Sequence, residues 1–245
     1  VYSNIKAGDI SITDVYIALL DNNIIDITHF DNADASEIEQ QVYQRFLLEQ
    51  SNAIEDLRNQ FYASRPLTNN QMSEEFLDYI TYVIDLLKNE QILVTSKIDS
   101  SDPIYTSWRD GNLSPKEYLS YCIGKQWIDI SLLQVDSKYA DTSEIYDALV
   151  DFVVTEAATD KEFAKCVYKY MVPKNEVTGK QLCLLLFEQG VLDYDEAIYT
   201  QIARGAITPV NFLLDKINNI EITPAQLALD PCTGSTVITD VNTGA

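Results

Sequence analysis

Four helix starts in tandem constrain this chain more than any other feature. Thr178, Asp193, Thr208 and Thr223 follow one another at intervals of 15 residues. Each is preceded by a branched aliphatic residue, Val177, Leu192, Ile207 or Ile222. Three residues beyond come Gln181, Glu196, Asn211 and Gln226, and one further on Leu182, Ala197, Phe212 and Leu227. An oxygen at the N-cap, an amide or acid at N3 and apolar partners at N′ and N4 are what a helix needs to satisfy its first free N–H groups and fix the entering chain. Gly190 and Gly205 stand where a left-handed residue ends a helix, and Pro209 and Pro224 stand at N1, where the missing N–H costs nothing. Residues 177–230 are therefore expected to be short helices joined by tight turns.

The same grammar recurs upstream. Gly8-Asp9-Ile10-Ser11 leads to Ile25-Asp26-Ile27-Thr28, and Gly111-Asn112-Leu113-Ser114 leads to Ile128-Asp129-Ile130-Ser131, at an offset of 103 without a gap. Gly205-Ala206-Ile207-Thr208 through Ile220-Glu221-Ile222-Thr223 aligns with them once two residues are removed. Three copies of Gly-x-(Ile/Leu)-(Ser/Thr) suggest one reused helical unit, against the alternative that good capping chemistry converges.

Longer helices lie between. Ser36 opens a stretch with Ile38, Val42, Phe46, Ile54, Leu57 and Phe61 at helical spacing, ended by Arg65-Pro66. Residues 73–88 carry Phe76, Ile80, Val83, Ile84 and Leu87 on one face, and the two segments are expected to pair as a hairpin. Ser143 is read as the start of another long segment, which Thr159-Asp160 splits in two. Only Ser235–Thr239 reads as β-prone, and Thr236, Val237, Ile238 and Thr239 are the candidate partner-binding residues, because an extended run must find its hydrogen bonds on another edge. The expected fold is all-α, a multi-helix array with an extended C-terminal tail, divided as 1–100, 101–230 and 231–245.

Charge narrows the partners. With 38 Asp and Glu against 17 Lys and Arg the net charge is −21, and the cations are dispersed. A chain like this repels phosphates and anionic lipid, so neither direct nucleic-acid affinity nor membrane binding is expected. The longest apolar run, Leu182 to Phe187, is far shorter than the roughly 18 residues that would span a bilayer. Cys122, Cys166, Cys183 and Cys232 lack metal or disulfide spacing, and the first three read as small apolar side chains.

Chemistry has few footholds. His29 is the sole histidine, and there is no nucleophile elbow or phosphate-cradling glycine loop. Asp110-Gly111-Asn112-Leu113-Ser114, with Glu117 beyond, matches the second half of an EF-hand loop, but Thr106 and Trp108 would fill its first two ligand positions, and Trp108 cannot bind calcium. No enzyme activity, catalytic residue, cofactor or metal is expected.

At Gly111-Asn112-Leu113-Ser114-Pro115-Lys116-Glu117-Tyr118-Leu119 the chain resembles the helical repeats of bacterial linker proteins, including phycobilisome linkers. In overall make-up, acidic and helical with a β-prone end, it resembles neck and tail-adaptor proteins of tailed bacteriophages. That second resemblance implies a non-enzymatic virion component of the head–tail neck or tail, assembled with its own copies and other structural proteins while DNA passes nearby. The alternative is a cytoplasmic helical-repeat adaptor or linker.

Overall fold

The computed structural model describes residues 1–133, 135 and 140–229. Thr236, Val237, Ile238 and Thr239, like Cys232, lie outside the described residues. In chain order the helices are α1 (Tyr2–Ala7), α2 (Ile12–Asp21), α3 (Glu37–Tyr62), α4 (Glu74–Asn89), α5 (Pro103–Arg109), α6 (Pro115–Gly124), α7 (Thr142–Ala157), α8 (Lys161–Met171), α9 (Gly179–Glu188), α10 (Glu196–Ala203), α11 (Pro209–Asn218) and α12 (Pro224–Leu227). The fold is all-α. The sole β feature among the described residues is an isolated antiparallel bridge between Leu93 and Ile128.

The described chain forms two compact units that do not follow chain order. One joins Val1–Asp26 to the segment beginning at Gly179, and the other is Ile27–Thr178. A break near residue 100, expected from sequence, is not where the units part. Residues 93–94 and 127–129 are tied across that point, Val94 N–H to Trp127 O and Asp129 N–H to Ile92 O, each at 2.8 Å.

In the first unit α9 is the central helix. Leu182 through Phe187 are all buried, since α2, α10 and α11 pack on it. This explains the longest apolar run without a bilayer: a helix enclosed by others buries its whole circumference. Val15, Leu19, Ile202, Leu213 and Ile217 complete the core.

A single frame repeats through both units. The left-handed residues Gly8, Gly111, Asn175 and Gly205 each precede, by three positions, Ser11, Ser114, Thr178 and Thr208. The helices that follow, α2, α6, α9 and α11, are each 10 residues long. Two residues past each helix the backbone turns left-handed again, at Asn23, Gln126, Gly190 and Ile220. Two further on an apolar residue is buried: Ile25, Ile128, Leu192 or Ile222. In three frames that residue's N–H returns to the closing turn: Ile25 to Leu19 O at 2.8 Å, Leu192 to Leu186 O at 2.9 Å and Ile222 to Lys216 O at 3.2 Å. After α6 and α11 the residue before the buried one makes the Schellman bond, Trp127 N–H to Cys122 O and Glu221 N–H to Lys216 O, each at 2.9 Å. The third sequence copy thus needs no deletion. Ile222, not Ile220, matches Ile25, because the buried aliphatic and its hydrogen bond define the register, and Ile220 falls on the left-handed residue.

The caps are mostly where the sequence puts them. Ser11, Ser36, Ser114 and Thr223 form full boxes with Asp14, Glu39, Glu117 and Gln226, and Thr208 Oγ1 accepts from Asn211 N–H at 3.3 Å. Two starts differ. α10 is capped by Asp195 rather than Asp193, because the Asp195 carboxylate reaches both Ala197 and Ile198 N–H, at 2.9 and 3.0 Å. α7 is capped by Asp141 rather than started at Ser143, with Glu144 closing the box.

The second unit is built around aromatic contacts. Tyr168 of α8 stacks on Phe46 of α3 at 4.4 Å and meets the edge of Phe30, while Phe163 lies between Tyr79 and Tyr82 of α4. So α8 packs on both α3 and α4. The expected α3–α4 hairpin is thereby replaced by a layer in which α8 supplies the rings both helices bury. Gln50, buried in α3, donates to the last carbonyls of α7, Ala157 O and Ala158 O, at 3.3 Å each. Those orphan acceptors would otherwise be unsatisfied.

Candidate interaction surface

The densest group of titratable side chains lies in the second unit, where α3, α4 and α8 meet. Lys174 Nζ is 2.7 Å from Glu75 Oε1 and 3.4 Å from Glu49 Oε2, and Tyr79 donates to the same Glu75 oxygen at 2.7 Å. Beside it Asp78 takes Lys169 Nζ at 2.6 Å and the Tyr170 hydroxyl at 2.7 Å, and Tyr82 donates to Asp160 at 2.8 Å. Burial, and then the carboxylate each donates to, hold the hydroxyls of Tyr79, Tyr82 and Tyr170 well above their ordinary range. Burial works against the charge on Lys174, yet Glu75 and Glu49 outweigh it and raise its pKa. The cluster is a clamp joining three elements.

His29 also serves the fold. It lies in a 3-10 turn, Ile27–His29, with Nδ1 3.0 Å from Oε1 of the buried Glu39 and Nε2 3.6 Å from Asp34. The other Glu39 oxygen accepts from Ser36 N–H at 2.7 Å, so histidine and capping box share one carboxylate. Cys122 and Cys183 are buried free thiols, which burial pushes up to about 12. Thiols so raised are poor nucleophiles at neutral pH. Cys166 is a free thiol of intermediate exposure.

At the loop resembling half an EF-hand, capping accounts for the acid. Glu117 Oε2 accepts from Ser114 N–H at 3.0 Å and from its hydroxyl at 2.6 Å. The Asn70 side chain covers Gly111: Nδ2 donates to Asp110 O and Asn112 Oδ1 at 3.1 Å each, and a Cβ on Gly111 would come 2.4 Å from Asn70 Oδ1. Among the described residues no group of His, Cys, Asp or Glu is arranged to hold a metal ion. No helix there is long and apolar enough to cross a membrane.

The surface offers contact sites. In the second unit a cavity of about 470 Å³ opens between Leu132–Leu133 and the outer face of α7, lined there by Ala148, Asp151, Phe152, Thr155 and Glu156. Leu132 is 52% exposed, Phe152 is half-buried, and α7 contains neither Lys nor Arg. Two carboxylates of α7, Asp151 and Glu156, line the cavity, and Asp147, one turn before Asp151, accepts from Tyr62 at 3.0 Å. Among the described residues Arg58 meets this rim, on Asp151 at 3.2 Å. In the first unit Tyr194 is 63% exposed and Ile220 68% exposed. Tyr194 belongs to a ring cluster with Phe187 and Tyr199, so its exposed face is anchored from behind.

Sequence reasoning placed the partner-binding residues in the tail, outside the described chain, and missed this groove. Two signals were present: the Leu132-Leu133 pair after a capped turn, and a long helix with five acids and no base between Asp141 and Glu156. In comparisons with known protein families, curated proteins and solved structures, the chain matches none.

Proposed function

We propose that this chain is a non-catalytic structural protein that works by holding other proteins, and that its setting is the neck or tail of a tailed bacteriophage particle. Ile220 carries the reading. A β-branched residue at φ 61 is strained, and at 68% exposure it gains little burial in return. Asn23 and Gly190 hold two of the equivalent positions, residues that tolerate the left-handed region better, and Gln126, which is not β-branched, holds the third. An apolar side chain kept in such a place gains when a partner covers it. The −21 charge supports the virion setting, since a wall of carboxylates lets DNA slide without adhering.

The experiment is electron microscopy and sedimentation of the purified chain, alone and with candidate neighbours, for wild type and Ile220→Gly. A multi-subunit particle that weakens in the variant, while the variant's fold becomes more stable, supports the reading. A strict monomer that adds to no particle defeats it. The repeated 15-residue frame favours a second reading, a cellular helical-repeat adaptor, since stacked units of one kind offer extended binding surfaces. Ring-shaped particles separate the first reading from the second.

A further inference from the structure

We propose that the groove between Leu132–Leu133 and α7 binds an amphipathic helical segment of a partner protein, rich in lysine or arginine on its polar side. This rests on the reading of the chain as a protein that holds other proteins, and it names the chemistry of one partner.

The groove combines an apolar part with a polar one, Asp151, Thr155 and Glu156 lining it beside the apolar residues. Leu132, Leu133, Ala148 and Phe152 line a cavity of about 470 Å³, room for a few aliphatic side chains. Leaving Leu132 52% exposed beside it has no benefit for this unit's own core, in which Leu133 is already buried.

The rim selects for charge. Asp151 and Glu156 line the cavity, Asp147 lies one turn before Asp151, and no base interrupts α7. Arg58 reaches Asp151, but both side chains are at least half exposed, and such a pair contributes little and yields readily. A basic segment would be steered in by the field of the whole chain and held at the rim. A nucleic acid or an anionic membrane would be repelled by the same field.

The backbone selects for a helix. The α7 wall presents side chains, its own N–H and C=O groups being spent within the helix. A strand laid there would leave its backbone groups unpaired, whereas a helix satisfies its own and inserts side chains from successive turns. Ala148 and Phe152 are one turn apart along the groove, the spacing at which a docked helix places its anchors.

The test is fluorescence anisotropy on the full chain with a labelled peptide roughly 18 residues long, enough to be helical. It carries leucines at helical spacing and lysines elsewhere, and a second peptide carries glutamates in place of the lysines. The lysine peptide should bind and the glutamate peptide should not. Leu132→Glu, on an exposed position the fold tolerates, should weaken binding about tenfold or more, the worth of one buried leucine. Asp151→Asn with Glu156→Gln should weaken it by a similar factor and flatten its salt dependence. Asp31→Asn with Glu37→Gln, the same charge change on the α3 side of this unit, should leave binding within about twofold, as surface charges far from the contact do. Equal loss in both charge-changed pairs, or no binding to the wild type, overturns the proposal. So does self-association of the chain that Leu132→Glu abolishes, which would assign the groove to a second copy. Particles that form without any peptide binding sink the groove proposal alone, and peptide binding by a strict monomer sinks the assembly reading alone.

Discussion

Ile220 holds its left-handed conformation against a cost of roughly 1–2 kcal/mol for an L side chain. Replacing it with glycine should therefore stabilise the first unit by about 1 kcal/mol, the strain outweighing the extra freedom glycine has when unfolded. Thermal melts should register this as a rise of about 2–4 °C in Tm. At Gly179 the sign reverses. A Cβ there would come 2.3 Å from the Tyr16 ring, so Gly179→Ala should cost about 1–3 kcal/mol by overpacking. In the second unit the buried Tyr168 hydroxyl has no hydrogen-bond partner among the described residues, although its ring is stacked on Phe46. Tyr168→Phe keeps the ring and removes an unsatisfied group, and should be neutral or stabilising by up to about 1 kcal/mol in a denaturant titration. A clear loss of stability there would show that the hydroxyl has a partner in solution.

At the scale of the element, caps and stops set where helices begin and end. Thr208→Ala removes the oxygen that Asn211 N–H donates to, and should cost about 1 kcal/mol by chemical denaturation. The box at α6 adds a pH dependence. The Ser114 hydroxyl and N–H hold the Glu117 carboxyl below its ordinary value of 4.5, against a smaller opposing effect of burial. Because the folded pKa lies below the unfolded one, the stabilisation is complete above the unfolded value and disappears as pH falls through the folded value. Stability of the wild type should decline from about pH 5 downward, and the decline should be shallower in Glu117→Gln, read from urea midpoints against pH. Equal slopes in the two proteins would mean that this carboxylate is not held by its cap.

At the scale of the molecule, two units of different make share one chain. The unit holding both ends of the described chain is built on short frames around α9, and the inserted unit, Ile27–Thr178, on long helices with an aromatic interior. Removing the tail after Asp230 should leave the helical circular dichroism unchanged and abolish assembly, if Thr236–Thr239 pair with a neighbour. Normal particles from the truncated chain would discard that role for the tail.

The all-α class and the starts of α2, α3, α4, α6, α9, α11 and α12 were legible in the sequence, because caps, N1 prolines and left-handed stops are local chemistry, whereas α1 and α5 were not. Ser11 with Asp14, or Thr223 with Gln226, satisfy N–H groups only three residues away, so adjacent letters suffice. Where two local solutions competed, as at Asp193 and Asp195, the letters alone could not choose. Tertiary structure decided the rest. Which helices meet depends on faces built from residues far apart in the chain, and α8 entered the place expected of an α3–α4 hairpin because Tyr168 and Phe163 fit the rings on either side. The division into units, the clamp of Lys174 on Glu49 and Glu75, and the groove over α7 have the same origin. Each depends on long-range juxtaposition, and a local pattern of capping and periodicity carries no record of which distant face will be its neighbour.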